Sequence, residues 1–233
     1  MLTTSRRSAA MVTVTSLLLG FLGITVTHAA VDEVVSGARA DTLLPQATPD
    51  GVWGGFTSLG QGTSDDVYAI ALSDDTVWAG GSFYASPPFT GASGVPGTNM
   101  IAAWSDDTWH ALGAGMDVNN PQEVYALATQ DDQLYAGGEF TDASGVANTE
   151  NMATWSVVDD TWSPLANGTD STVLAIYAPT DGAGDDSVYV GGSFTDTRTA
   201  PGAVRIATWK DDTWGAIGLG ASGPVNSLVS TDD

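Results

Sequence analysis

No cysteine occurs in the 233 residues, which excludes disulfide staples, thiolate metal sites, cysteine nucleophiles and a lipidated cysteine. Lysine is nearly absent: Lys210 is the only one, and the chain has 6 basic residues against 28 acidic ones, a formal net charge of -22. Histidine occurs as His28 and His110 alone. The positive stripe that binds nucleic acid or an anionic membrane surface is therefore missing. Beyond residue 30 there is also no apolar period of 3.6 held over three turns, so amphipathic helices are not expected.

What remains is acidic but not disordered in composition, since 42% of the residues are hydrophobic. Of the acids, 24 are Asp, many in adjacent pairs. Such a surface is soluble and self-repelling in dilute buffer, and molar salt screens the repulsion because the Debye length falls to about 3 Å. Adaptation to salt is one reading; an ordinary acidic secreted protein is the other.

Arg6 and Arg7 precede an apolar run from Ala9 to Val26, followed by Thr27-His28-Ala29-Ala30. A charged start, an apolar middle and small residues at the cut make a secretory signal peptide over residues 1–29, cleaved after Ala29. The run also approaches the shortest length that spans a bilayer, roughly 17 residues, which leaves an uncleaved anchor as the alternative. Ser5-Arg6-Arg7 begins like a twin-arginine signal, but Ala9 and Ala10 replace the bulky residues that would follow. Residues 30–50, with Gly37, Pro45 and Pro49, read as a linker. The expected location is secreted or cell-surface, with no membrane insertion of the mature domain.

Residues 51–233 repeat themselves. Val67-Tyr68-Ala69-Ile70-Ala71-Leu72 recurs as Val124-Tyr125-Ala126-Leu127-Ala128, more loosely as Val173-Leu174-Ala175-Ile176-Tyr177 and finally as Val225-Asn226-Ser227-Leu228-Val229. A second element closes on Gly80-Gly81, Gly137-Gly138 and Gly191-Gly192. A third carries Trp104, Trp155 and Trp209, and a fourth opens with Trp109, Trp162 and Trp214. The glycine pairs lie 57 and then 54 residues apart, and the fourth-element tryptophans 53 and 52. Each element is short, rich in β-branched and aromatic residues, and bounded by Asp, Gly, Asn or Pro, which predicts four strands per repeat. The paired glycines are expected where backbones converge, through the missing Cβ and the freedom to take positive φ.

On these residues the repeat resembles the kelch repeat, in the double glycine of Tyr135-Ala136-Gly137-Gly138 and the tryptophans Trp155 and Trp162 around a hairpin. It is also similar to the repeats of galactose-oxidase-type central domains and of fungal polarity-marker surface proteins. There a Gly-Gly-x-Phe-Thr segment like Gly138-Glu139-Phe140-Thr141 precedes a stretch like Asn151-Met152-Ala153-Thr154-Trp155. The resemblance covers about residues 56–233 and departs from kelch in placing Trp104 where Tyr is usual and in a Trp104 to Trp109 spacing one residue short. It implies an all-β fold of β-propeller blades, each of four antiparallel strands. It brings no copper chemistry, because no matching ligands and no cysteine for a crosslink are present.

The chain is expected to enter on a fourth strand near Phe56–Gly62, to form three full blades and to leave on a first strand, Val225–Val229. A closed propeller needs at least four blades, so the simplest account is an incomplete propeller, part of a longer protein. The rival is self-association of copies through their open blade edges.

Candidate chemistry is sparse. The Asp pairs 65/66, 74/75, 106/107, 131/132, 159/160, 185/186, 211/212 and 232/233 are able to bind Ca²⁺ in principle. They read better as turns, where the Asp side chain accepts from following amides. No other cofactor is implied, and no catalytic or metal residue is assigned. His110 alone reads as a packing or surface residue. Asn167-Gly168-Thr169 is a glycosylation sequon in a loop. Two functions remain: a non-enzymatic module that binds protein or glycan or serves as a structural part of a larger surface protein, and a carbohydrate-active enzyme using carboxylates on one propeller face.

The charge imbalance carries a direct expectation. The thermal midpoint of the folded domain, followed by circular dichroism, rises between low and molar sodium chloride; a flat or falling midpoint removes the case for salt adaptation.

Overall fold

The computed structural model describes residues 59, 62–84, 91–117, 122–179 and 186–229. The leader, the linker, most of the expected strand at 56–62, the loop holding Pro87-Pro88-Phe89, Asp185 and Asp232-Asp233 lie outside them. Twelve strands follow one another: β1 (Val67–Ser73), β2 (Thr76–Gly81), β3 (Ile101–Ser105), β4 (Thr108–His110), β5 (Glu123–Gln130), β6 (Gln133–Glu139), β7 (Met152–Ser156), β8 (Thr161–Pro164), β9 (Val173–Tyr177), β10 (Val188–Gly192), β11 (Ile206–Lys210) and β12 (Thr213–Ala216). They make three open antiparallel sheets of four strands in sequence order, β1 to β4, β5 to β8 and β9 to β12, and no helix is present among the described residues.

Four of the aspartate pairs turn tight hairpins, while Asp65-Asp66 stands just ahead of β1. Asp74-Asp75, Asp106-Asp107, Asp131-Asp132 and Asp211-Asp212 each bridge directly paired residues, for example Ser105 with Thr108 and Lys210 with Thr213. Both members of 106/107 (φ 49° and 59°) and of 211/212 (φ 49° and 56°) are left-handed, as a two-residue hairpin that matches strand twist requires. Asp tolerates this conformation because its short side chain bonds locally. The 159/160 pair lies instead in a four-residue loop, where Asp159 N donates to Ser156 Oγ at 3.1 Å.

The glycine pairs sit opposite a bulge. In each sheet the first strand carries one extra residue, at Tyr68, Tyr125 or Leu174, and the two glycines straddle it: Gly80 pairs Ala69 and Gly81 pairs Val67, with the same offset in the other sheets. A Cβ on Gly81, Gly138 or Gly192 would run into the backbone carbonyl of Asp66, Glu123 or Thr172 of its own sheet. A Cβ on Gly80 would meet Val124 of the next sheet at 2.6 Å, and Gly137 and Gly191 face Val173 and Val225 in the same way. None of the six has positive φ. Close approach alone demands glycine here, and the expected conformational freedom is not used because these residues remain inside regular strands.

Two cores lie between sheets, and a third, of Ala79, Phe83, Ala92, Ala102 and Trp109, belongs to the first repeat. One joins Trp78, Ile101 and Leu112 to Val124, Leu134, Trp155 and Trp162, and another joins Tyr135, Met152 and Leu165 to Val173, Val190, Trp209 and Trp214. Within each β3–β4-type hairpin the two tryptophans face each other across the strands and meet edge to face, with centroids 5.4 Å (Trp104 and Trp109), 5.3 Å (Trp155 and Trp162) and 5.2 Å (Trp209 and Trp214) apart. Such pairs add about 0.5–1.5 kcal/mol beyond their burial. The second tryptophan also reaches back: the indole N–H of Trp109, Trp162 and Trp214 donates to the carbonyl of Leu59, Leu112 and Leu165 at 3.0, 2.9 and 3.0 Å. Each bond ties a repeat to the turn that ends the one before.

A second joint recurs at the entry to the third strand. Met100, Asn151 and Arg205 are left-handed (φ 61°, 62° and 63°). Each donates its N–H to the carbonyl of Phe83, Phe140 or Phe194 and accepts from the N–H of the second glycine. The three phenylalanines are buried. The expected first strand at Val225–Val229 takes its place beside the third sheet, with Val225 N donating to Gly192 O at 3.1 Å. It forms no ladder, because no second strand lies beside it among the described residues.

Gly138→Ala is expected to destabilise the protein by at least about 2 kcal/mol, since backbone rather than a movable side chain blocks the new methyl. Gly223→Ala, with nothing within 4 Å of a Cβ, is the matched control and stays within about 0.5 kcal/mol of the parent in urea unfolding.

Candidate functional site: a cleft between the first two sheets

A cavity of about 560 Å³ opens between the first and second sheets. The first sheet supplies Thr76 and Trp78 from β2, Ala103 and Ser105 from β3, and His110 from β4; the second supplies Trp155 from β7 with Val157 and Asp160 from the loop that follows. Strand alternation puts these residues on one face, because Trp78 points toward the next sheet while Ala79 points away.

Two local departures from the repeat open the space. Ala103 stands where the other sheets have Thr154 and Thr208, and Thr154 fills its seam by donating its hydroxyl to Gln133 Oε1 at 3.0 Å. The β7–β8 loop is two residues longer than the hairpins at Asp106-Asp107 and Asp211-Asp212, and Val157 N anchors it to Asp132 O at 2.9 Å. Its Val157 and Val158 are exposed.

The lining is chemically mixed. The His110 ring contacts Ser105 O through Nε2 at 3.3 Å and is exposed. The Trp78 N–H is committed to Ser73 Oγ at 2.9 Å, and both Trp78 and Trp155 are buried walls. Thr76 and Ser105 supply hydroxyls and Asp160 the one carboxylate of the lining. Hydroxyls, an imidazole, a carboxylate and apolar walls can hold a small polar ligand. Among the described residues of the lining, two opposed carboxyl groups, as glycoside hydrolysis requires, do not face each other across this cleft. Among the described residues no three His, Asp or Glu side chains converge as a metal site would need.

Most residues singled out in the sequence stand elsewhere. The glycine pairs and the tryptophan pairs build the seams between sheets. Asn167 is exposed on the turn closing the second repeat, while Thr169 of its sequon is buried, with its N–H on Glu150 O and its hydroxyl on Ser171 O. His110 is a surface residue, as expected, but its place on the cleft was not legible. The signal that would have found it is the Thr to Ala exchange at position 103 within aligned repeats.

A second polar cluster joins the second and third repeats. Asp170 receives the N–H of Thr195 (2.8 Å), the N–H of Asp196 (3.0 Å) and the hydroxyl of Thr195 (2.6 Å). Thr141, the corresponding residue one repeat earlier, donates to Asp117 at 2.9 Å, which explains the Thr after Gly-Gly-x-Phe. Partial burial pushes the Asp170 carboxyl upward, but its hydrogen bonds outweigh that and hold it below its ordinary value of 3.8. Burial raises the Tyr135 hydroxyl, with the carboxylates of Asp131 and Asp212 adding to the effect.

The class so defined is an all-β module of repeated four-stranded sheets that share their cores. No family model matches the chain. It is 28% identical over 127 residues to Polarized growth protein L1 of Phoma sp., across 54% of this chain and 9% of that protein. The chain thus spans under a tenth of the curated relative it matches. Among solved structures, the computationally designed Ika4 protein aligns at 19% identity and a TM-score of 0.44, over 74% of this chain and 84% of that one. U3-55K aligns at 14% identity and a TM-score of 0.42, over 70% and 40%.

Because the folded value of Asp170 is lowered, its contribution to stability is present above the ordinary carboxylate range and is lost as pH falls below about 4. Asp170→Asn is expected to flatten that acid limb, read as the urea midpoint against pH. An unchanged acid limb would show that the cluster does not couple to folding.

Proposed function

We propose that this chain is a non-enzymatic module of a secreted or cell-surface protein, built of kelch-like propeller blades, that binds a neutral saccharide in the cleft beside His110. The observation that carries the reading is the lining itself: hydroxyl, imidazole and carboxylate groups along apolar walls, in a space of about 560 Å³. Saccharide hydroxyls both donate and accept, and they pair with such groups without needing a metal or a fixed charge. Export is supported by the leader pattern of residues 1–29, and a surface setting by the distant similarity to a polarized growth protein. The net charge of -22 argues against polyanionic ligands, nucleic acid included. The exposed Asn167 is proposed as a glycosylation site.

A glycan array followed by calorimetric titration tests the assignment. Binding to one class of neutral glycan is expected, weakened about tenfold or more, some 1.4 kcal/mol, by His110→Ala and by Asp160→Asn, with circular dichroism unchanged. A hydrolase panel run on the same protein is expected to show no turnover. Turnover abolished by Asp160→Asn would establish the enzymatic alternative instead.

A further inference from the structure

The outward face of β1 is apolar and open. Val67, Ile70 and Leu72 are 40%, 64% and 65% exposed. Their counterparts in the next two sheets are covered: Val124 and Val173 are fully buried, and Leu127 and Ile176 pack against the shared cores. The cover is known in each case. Val124 and Leu127 lie against Gly80, and Val173 and Ile176 against Gly137, the first glycine of the pair on the preceding second strand. At the same seam Thr129, the counterpart of Leu72, donates its hydroxyl to Leu72 O at 3.0 Å. The molecule thus uses one interface between its sheets twice, repeats the glycine–valine contact at Gly191 and Val225, and presents the receiving half once more on β1 with no glycine-bearing strand upon it among the described residues.

We infer that this face is a docking site for the second-strand hairpin of a further repeat of this kind, one whose strand carries two consecutive glycines after a small residue. The chemistry of the partner follows from the two seams already formed. Only a strand without Cβ atoms at the crossing lets the Val and Ile side chains approach its backbone, and only apolar side chains at these positions fill the space the glycines leave. Leu72, larger and more apolar than Thr129 or Ala178 at the same position, fits a seam that ends dry. The inference does not depend on a ligand in the cleft.

A synthetic hairpin spanning residues 133–156, which contains Gly137-Gly138, tests it on the full chain. The expected result is saturable one-to-one binding, with amide hydrogen exchange slowed at least tenfold within residues 67–72. The effect is lost in Ile70→Asp, and also with a hairpin carrying Gly137→Val. Both Ile70 and its replacement are exposed, so the variant chain folds and serves as a fair control. A second measurement removes the demand that a short hairpin hold its shape: residues 63–115 are fused directly ahead of a second copy running from Thr63, and exchange is followed at the inner β1. Protection there supports the inference. Unchanged exchange in both experiments overturns it, as does binding indifferent to Gly137→Val, or a dimer of the unmodified chain that Ile70→Asp dissolves, which would make a second copy meeting face to face the occupant.

Discussion

Everything in this structure depends on the crossing of the first strand of one sheet over the second strand of the sheet before it. The two largest cores are shared between sheets. Trp78 and Ile101 are dry because Val124 and Trp155 of the following sheet cover them, and Tyr135 and Met152 because Val173 and Trp209 do. The crossing is as close as it is because Gly80, Gly137 and Gly191 bring no side chain to it, and because the bulge in each first strand bends the chain around the second glycine. Stability in such a molecule is a sum over neighbours, so a seam matters more than any sheet.

The remaining devices secure that crossing from outside. The tryptophan N–H to leucine carbonyl bonds fix the outer strands at every seam, and the Asp170 and Asp117 clusters fix the linkers between repeats. The outermost strands β4, β8 and β12 are only three or four residues long, which leaves little edge for another chain to pair with. The turns that lead into these strands carry Asp106-Asp107, Asp159-Asp160 and Asp211-Asp212, so like charge adds to the protection at that end. An ion pair, Arg198 with Glu150, joins exposed side chains of two repeats and adds little in water. Against this regular frame the cleft at His110 is a local relaxation, bordered by one small residue and a longer loop, where the next repeat has Thr154 bonded to Gln133.

Strand type, strand number per repeat and the hairpin role of the aspartate pairs were all legible, because each rests on local chemistry: β-branched and aromatic runs, and a side chain that bonds its own turn. The glycine pairs were legible as close-approach positions. Their partners were not, since Val124 lies 44 residues from Gly80 and only packing reveals that they touch. The left-handed Met100 and Arg205 carried no signal, as neither residue type favours that conformation. The cleft escaped for a similar reason: it is made by an absence, the missing Thr side chain at Ala103, set against a loop 54 residues further on.

By itself the sequence determined an all-β repeat of four strands, an acidic surface, and the places where the backbone must run without a Cβ. These follow from periodicity and from the intrinsic preferences of single residues, which need no neighbours to be read. The tertiary structure alone decided which faces meet, that the two largest cores lie between the sheets, that His110 borders a cavity, and that Val67, Ile70 and Leu72 remain uncovered. A face is buried or open according to what stands opposite it, and that is settled by the closing of distant segments on one another.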